Sequence, residues 1–182
     1  MSICIFPGTF NPIHQGHIKM AEFALEKYHF DKIIFIPAYL PPHKEIDKTL
    51  ANHRFEMVKL AIKNNPKFEI SDIEYKSEGK SYSLITVKKI IELYQIKGRL
   101  NFIIGTDAFE KIDTWYKSEE LKNLVHFIVF PRKDSNIYRK EGWDYEITDM
   151  DFINISSTDI RNGKFNKNIE DVGEYIKENG LY

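Results

Sequence analysis

The sequence predicts an α/β fold built on one doubly wound, mostly parallel sheet. Three observations carry that expectation. Short apolar runs alternate with longer stretches of helical periodicity. The runs are near-continuous rather than alternating, so both faces of the sheet are expected to be covered. Segments rich in glycine, histidine, serine and arginine follow the predicted strands, where such a sheet places its chemistry. The 182 residues suit one domain, 1–182, and no repeat, low-complexity tract or linker divides them.

The elements follow in order. "SICIF" (2–6), bounded by Pro7-Gly8, reads as a buried strand. "GHIKMAEFALEKY" (16–28) carries Ile18, Ala21, Leu25 and Tyr28 at helical spacing and reads as an amphipathic helix. "KIIFIP" (32–37) is a second strand. "LANHRFEMVKLAIKNN" (50–65) is a second helix, stopped by Pro66. "KFEISDIEY" (67–75) is a weaker third strand, and "SLITVKKIIELYQI" (83–96) a third helix. "LNFIIG" (100–105) and "HFIVF" (126–130) are the next strands, with a short helical region near 117–124. "YEITDMDFINIS" (145–156) is strand or irregular. "STDIRNG" (157–163) is a short helix, and "IEDVGEYIKENGL" (169–181) the last one, with Gly180 near its end.

Composition narrows the function. A formal net charge of −1 argues against a nucleic-acid partner. No apolar stretch approaches a transmembrane span, and no basic-then-apolar leader pattern begins the chain, so a cytoplasmic protein with no membrane partner is expected. One cysteine, Cys4, excludes an internal disulfide and fits a reducing compartment.

Three segments far apart in sequence should meet at the carboxyl rim of the sheet: "PGTFNPIHQGH" (7–17), "GTDAFEKIDTWY" (105–116) and "SSTDIR" (156–161). In the first, Gly8 and Gly16 remove side chains, and a helix begins near Gly16-His17. A helix start offers unpaired N–H groups suited to phosphate. His14 and His17 can be a metal pair, a helix cap with a stray imidazole, or donors aimed at an anion. A zinc site would need further ligands that the loop does not supply. In "SSTDIR", Ser156 or Ser157 can cap a helix and Arg161 can fork onto a polyphosphate or simply face solvent. "PPHK" (41–44) projects Lys44 from a stiff loop. Trp115 and Tyr116 can pack in the core or stack on a heteroaromatic ring. Ser83 can cap the third helix or bind a carboxylate.

Together these residues resemble a known family: the nucleotidyltransferases with an (H/T)xGH signature, and among them the bacterial nicotinate-nucleotide adenylyltransferases. "GTFNPIHQGH" is similar to the first signature and "ISSTDIR" (155–161) to the second, with "PPHK", "SYS" (81–83), "IGTDAF" and "WY" in order between them. Pro7 stands where the family usually has glycine, Asn11 where aspartate is common, Ile13 where a second proline is found, and Ser83 where threonine is usual.

The resemblance implies a Rossmann-like fold and adenylyl transfer from ATP to nicotinate mononucleotide, giving deamido-NAD and pyrophosphate. It implies an ATP site of Gly8, Thr9, Phe10, His14, Gly16, His17, Ile155, Ser156, Ser157 and Arg161. His14 and His17 would bond the phosphates, Lys44 would bridge the α-phosphate and the mononucleotide phosphate, and Arg161 with the serines would hold the β- and γ-phosphates. Asp107 would meet ribose hydroxyls, Trp115 would stack on the pyridine ring, and Ser83 with Tyr116 would take the nicotinate carboxylate. Mg²⁺ is expected to arrive on the triphosphate, with no protein metal ligands. A homo-oligomer is left open. The alternatives are a sister transferase using nicotinamide mononucleotide or another phosphorylated acceptor, and a nucleotide-binding module without turnover.

Overall fold

Six strands lie side by side, all parallel: β1 (Ile3–Gly8), β2 (Lys32–Pro37), β3 (Phe68–Ile70), β4 (Leu100–Gly105), β5 (Val125–Phe130) and β6 (Tyr145–Ile147). This computed structural model describes residues 1–132, 139–151, 154–164 and 168–182. The spatial order is β3-β2-β1-β4-β5-β6. The chain winds outward from β1 in one direction, then returns to its other side at β4. The two halves therefore diverge between β1 and β4, which opens a crevice at the carboxyl ends of those strands. Register levels the rim: Gly8 pairs with Pro37, and Gly105 with Phe130.

Seven helices are described: α1 (Gln15–Lys27), α2 (Ala51–Ile62), α3 (Ser83–Tyr94), α4 (Thr106–Glu110), α5 (Ser118–Leu121), α6 (Ser157–Arg161) and α7 (Glu170–Glu178). They cover both faces, and strand residues alternate between the two cores. Cys4, Phe6, Ile33 and Phe35 pack with Ala21, Ala24, Met57, Val58, Val172 and Ile176 of α1, α2 and α7. Ile3, Ile5, Ile34 and Ile36 pack with Leu84, Val87 and Ile90 of α3 and with Phe109 and Leu121. A strand buried on both sides has no position for a polar side chain, which is why the runs read as continuously apolar. Cys4 is a free thiol inside the first core, its pKa pushed well up by burial. No helix among the described residues is long and apolar enough to cross a membrane.

Several boundaries differ from those expected. The strand expected over 67–75 stops at Ile70, after which a turn closed by the Tyr75 N–H on the Asp72 carbonyl (2.9 Å) leads away from the sheet. The stretch 145–156 contributes only Tyr145–Ile147 as strand, and Phe152 and Ile153 within it lie outside the described residues. The third helix ends at Tyr94 because Gln95 turns left-handed, with φ 51°. A 3₁₀ turn, Lys48–Leu50, leads into α2, and a second, Ile112–Thr114, precedes Trp115.

Candidate active site

The turn from β1 into α1 holds itself rigid before any ligand arrives. Phe10 turns left-handed (φ 49°) and folds its ring back over Gly8. A Cβ on Gly8 would come within 2.8 Å of that ring, so only glycine fits beneath it. The Phe10 ring then meets the His17 imidazole edge-on, at 5.1 Å between centroids.

His14 is the N-cap of α1, and the cap is reciprocal. Its Nδ1 accepts from the Gly16 N–H (3.0 Å), while Nδ1 of His17 accepts from the His14 N–H (3.1 Å). The two serve the roles that Ser and Glu fill in an ordinary capping box. The expected helix start near Gly16 therefore moves back to Gln15. An imidazole nitrogen that accepts carries no proton, so each neutral ring has its proton on Nε2. The rings lie stacked, 3.7 Å between centroids. Burial, then Arg132, lowers the His14 pKa to about 4. Burial, then His14, Arg132 and Lys44, holds His17 well below the usual histidine value. The cap reading and the donor reading of the histidines are thus compatible: one nitrogen of each ring caps, and the other is an N–H donor.

The second segment meets the first. Ser156 caps α6 by accepting from the Asp159 N–H (3.0 Å). The Ser157 hydroxyl donates to the Pro12 carbonyl (2.8 Å), and Arg161 Nη1 donates to the Asn11 carbonyl (2.7 Å). Arg161 Nη2 donates to Thr158 Oγ1 (3.2 Å). The Tyr182 hydroxyl donates to Asn11 Oδ1, so the tail closes on the same loop. Ile155 packs against the core under α1 and α7.

The opposite side of the crevice is more open. Lys44 stands on the loop after β2; desolvation, then the charges of Arg161, Arg132 and Arg54, lower its pKa. The His43 and Trp115 rings lie nearly parallel, 6.5 Å between centroids and 25° between planes, which brings "PPHK" to "TWY". Tyr116 is exposed and stacks on Tyr82 at 4.5 Å, beside Ser83 at the start of α3. Ser83 makes no cap; Ser81 instead accepts from the Tyr39 and Leu40 N–H groups (3.2 and 3.1 Å). Asp107, in the first turn of α4, pairs with Arg132 at 3.2 Å.

Two buried polar residues escaped sequence reasoning. Arg54, on α2, is 0% exposed. Its Nη1 donates to the carbonyls of Thr9 (2.8 Å) and Ala38 (2.7 Å), and Nη2 to that of Tyr39 (3.3 Å). Glu74 is 5% exposed and accepts from the Thr86 hydroxyl at 2.8 Å. Burial raises its pKa to about 7, against the opposing pull of Thr86, Ser81, the Tyr39 N–H and Arg54. In sequence, Arg54 sits among Asn52, His53 and Glu56 and reads as the solvent face of an amphipathic helix. Its one signal is position: the only arginine between residues 1 and 98, on the helix that follows the Lys44 loop.

The rim therefore gathers N–H donors and cations: two imidazoles, Lys44, Arg132 and Arg161. That chemistry suits phosphate. Among the described residues no group of three or more His, Cys, Asp or Glu is placed to hold a metal ion.

Residues 5–163 match the family model described as cytidylyltransferase-like. The nicotinate-nucleotide adenylyltransferase of Bacillus subtilis strain 168 is 40% identical over 187 residues, covering 99% of this chain and 97% of its own. The chain belongs to the nicotinate-nucleotide adenylyltransferase family. A second member, named "Probable nicotinate-nucleotide adenylyltransferase" in Fusobacterium nucleatum subsp. nucleatum, is 41% identical over 183 residues, covering 98% of this chain and 94% of its own. The fold of the family extends further: the nicotinic acid mononucleotide adenylyltransferase of Plasmodium falciparum, solved with NaAD, superposes with a TM-score of 0.80 at 21% identity, over 99% of this chain and 96% of that one.

Proposed function

We propose that this chain transfers the adenylyl group of ATP to nicotinate mononucleotide, releasing pyrophosphate and giving nicotinate adenine dinucleotide. The observation that carries the mechanism is the reciprocal cap. It leaves two neutral, oriented imidazole N–H donors at the mouth of α1, in the crevice between the two halves of the sheet.

The nucleophile is a phosphate oxygen of the mononucleotide. Its second pKa is about 6, so it is already anionic near neutral pH and needs no general base. It attacks the α-phosphorus in line. The bond from α-phosphorus to the α–β bridging oxygen breaks, and pyrophosphate leaves with that electron pair. The protein's task is to bring two anions together and to offset charge on the transferring and leaving groups. His14 and His17 donate to the ATP phosphates, within the loop of Gly8, Thr9, Phe10 and Gly16. Arg161, already anchored on Asn11, turns its remaining N–H groups to the β- and γ-phosphates beside Ile155, Ser156 and Ser157. Lys44 spans the α-phosphate and the acceptor phosphate. Trp115 stacks on the pyridine ring, Ser83 and Tyr116 take its carboxylate, and Asp107 meets ribose hydroxyls.

Magnesium supplies charge neutralisation when it arrives with the triphosphate. The rim is a poor cage for a hard cation: the Asp107 carboxylate is paired with Arg132 and that of Asp159 with Lys164. One catalytic unit spans 1–182 in this reading.

The test is a side-by-side assay of the purified chain with ATP and either nicotinate or nicotinamide mononucleotide, following dinucleotide and pyrophosphate. Preference for the acid is expected. Equal or better use of the amide would sink the acceptor assignment, and no pyrophosphate from either would sink the transferase reading.

A further inference from the structure

A fully buried guanidinium is costly to keep: it forgoes water, and every N–H that finds no partner adds to the cost. Arg54 meets that cost with three carbonyl acceptors, while among the described residues its buried Nε has none. What Arg54 does accomplish is geometric. Thr9 lies just past β1, on the loop that leads to His14 and His17. Ala38 and Tyr39 lie just past β2, on the loop that leads to Lys44. Among the described residues the main chain joins these loops at the level of the sheet, through the Ala38 N–H on the Gly8 carbonyl at 2.9 Å. Beyond that point the forked guanidinium spans them, holding carbonyls of both at once. Ser81 extends the same brace to the α3 side by accepting from Tyr39 and Leu40.

We propose that Arg54 is a positioning residue: it fixes the separation of the loop carrying the histidine pair from the loop carrying Lys44, and with it the approach of the two phosphates. Three carbonyls, those of Thr9, Ala38 and Tyr39, are what hold the guanidinium in place. The inference rests on the transferase reading above. A misplacement of about 1 Å between reacting groups can lower a rate on the order of 100-fold without touching the substrates' own contacts. The effect should therefore fall on kcat, with little change in either KM.

The test uses Arg54→Lys, which keeps the charge but replaces the planar fork with a single ammonium. Steady-state kinetics are measured where circular dichroism shows the variant folded, with binding of a non-reacting ATP analogue measured in parallel. The expected result is a kcat lower on the order of 100-fold, with both KM values and analogue binding close to wild type. Should Arg54→Lys fail to fold, the pair Arg54→Met with Glu74→Gln removes both buried charges, an exchange that proteins often tolerate. It is expected to fold and to show the same loss of kcat. Wild-type kcat in either folded variant, or a loss only in proportion to the unfolded fraction, overturns the assignment of Arg54. An inactive wild type overturns the transferase reading and this inference with it.

Discussion

The two sides of the crevice are built on opposite plans. On the β1–α1 side nearly every polar group is already engaged. Both imidazoles cap, Ser157 and Arg161 hold backbone carbonyls, and Phe10 fills the space above Gly8. On the Lys44 side the groups are more exposed and are held by ring contacts and a surface ion pair rather than by bonds to the backbone. Tyr116 is exposed, Lys44 lies among like charges, and Trp115 shows a face toward His43. The proposed function gives the difference a chemical reason. Charge that develops in a transition state is best met by donors that do not move, whereas an acceptor has to enter and leave.

The sharpest way to break this comparison is on the rigid side. Replacing His17 with alanine should lower kcat by about 100- to 1000-fold, the loss typical of one preorganised donor. The far-UV circular dichroism should be preserved, and near-normal turnover would refute the division. On the open side the effect should be smaller and of a different kind. Trp115→Leu forfeits stacking worth about 0.5–1.5 kcal/mol, so the acceptor KM should rise by up to about tenfold while the ATP KM holds. A raised ATP KM would show that the two sides are not separable.

The smallest effect is on stability and pH. His14 is 6% exposed, and its pKa drops from 6.5 unfolded to about 4 folded. Between those values the unfolded chain binds more protons than the folded one. The contribution is therefore complete above pH 6.5 and is lost as pH falls toward 4; His17 acts in the same direction. Glu74 opposes them, since a carboxyl raised from 4.5 to about 7 favours the folded state more as pH falls through that window. Two histidines against one carboxyl predict a net loss in acid. His14→Asn keeps an N-cap acceptor but removes the titrating ring. Its urea midpoint should fall less than that of wild type between pH 6.5 and 4, and an unchanged slope would separate His14 from acid unfolding.

The sheet was legible because its code is simple. A strand covered on both faces must be apolar throughout, and "KIIFIP", "LNFIIG" and "HFIVF" could hardly be anything else. The edges were less legible. β3 has a partner on one side only, and its apolar pattern runs on into Ile73 after pairing has ended. At the site, the histidines, the serine-arginine segment and the tryptophan were readable from residue type and spacing. Their division of labour was not: whether Ser157 reaches a ligand or the Pro12 carbonyl is decided by which backbone the fold brings near. Arg54 was hidden for the same reason. Helical periodicity assigns a charged residue to water, and only the convergence of two loop ends shows why this one points inward.

An ordinary serine cap ends its work once the helix has formed. Using a heterocycle with two nitrogens instead ties secondary structure to proton placement. On the proposed function, a molecule in which α1 has begun already carries its imidazole hydrogens on Nε2, the tautomer that donation to phosphate would call for, with no separate adjustment to make.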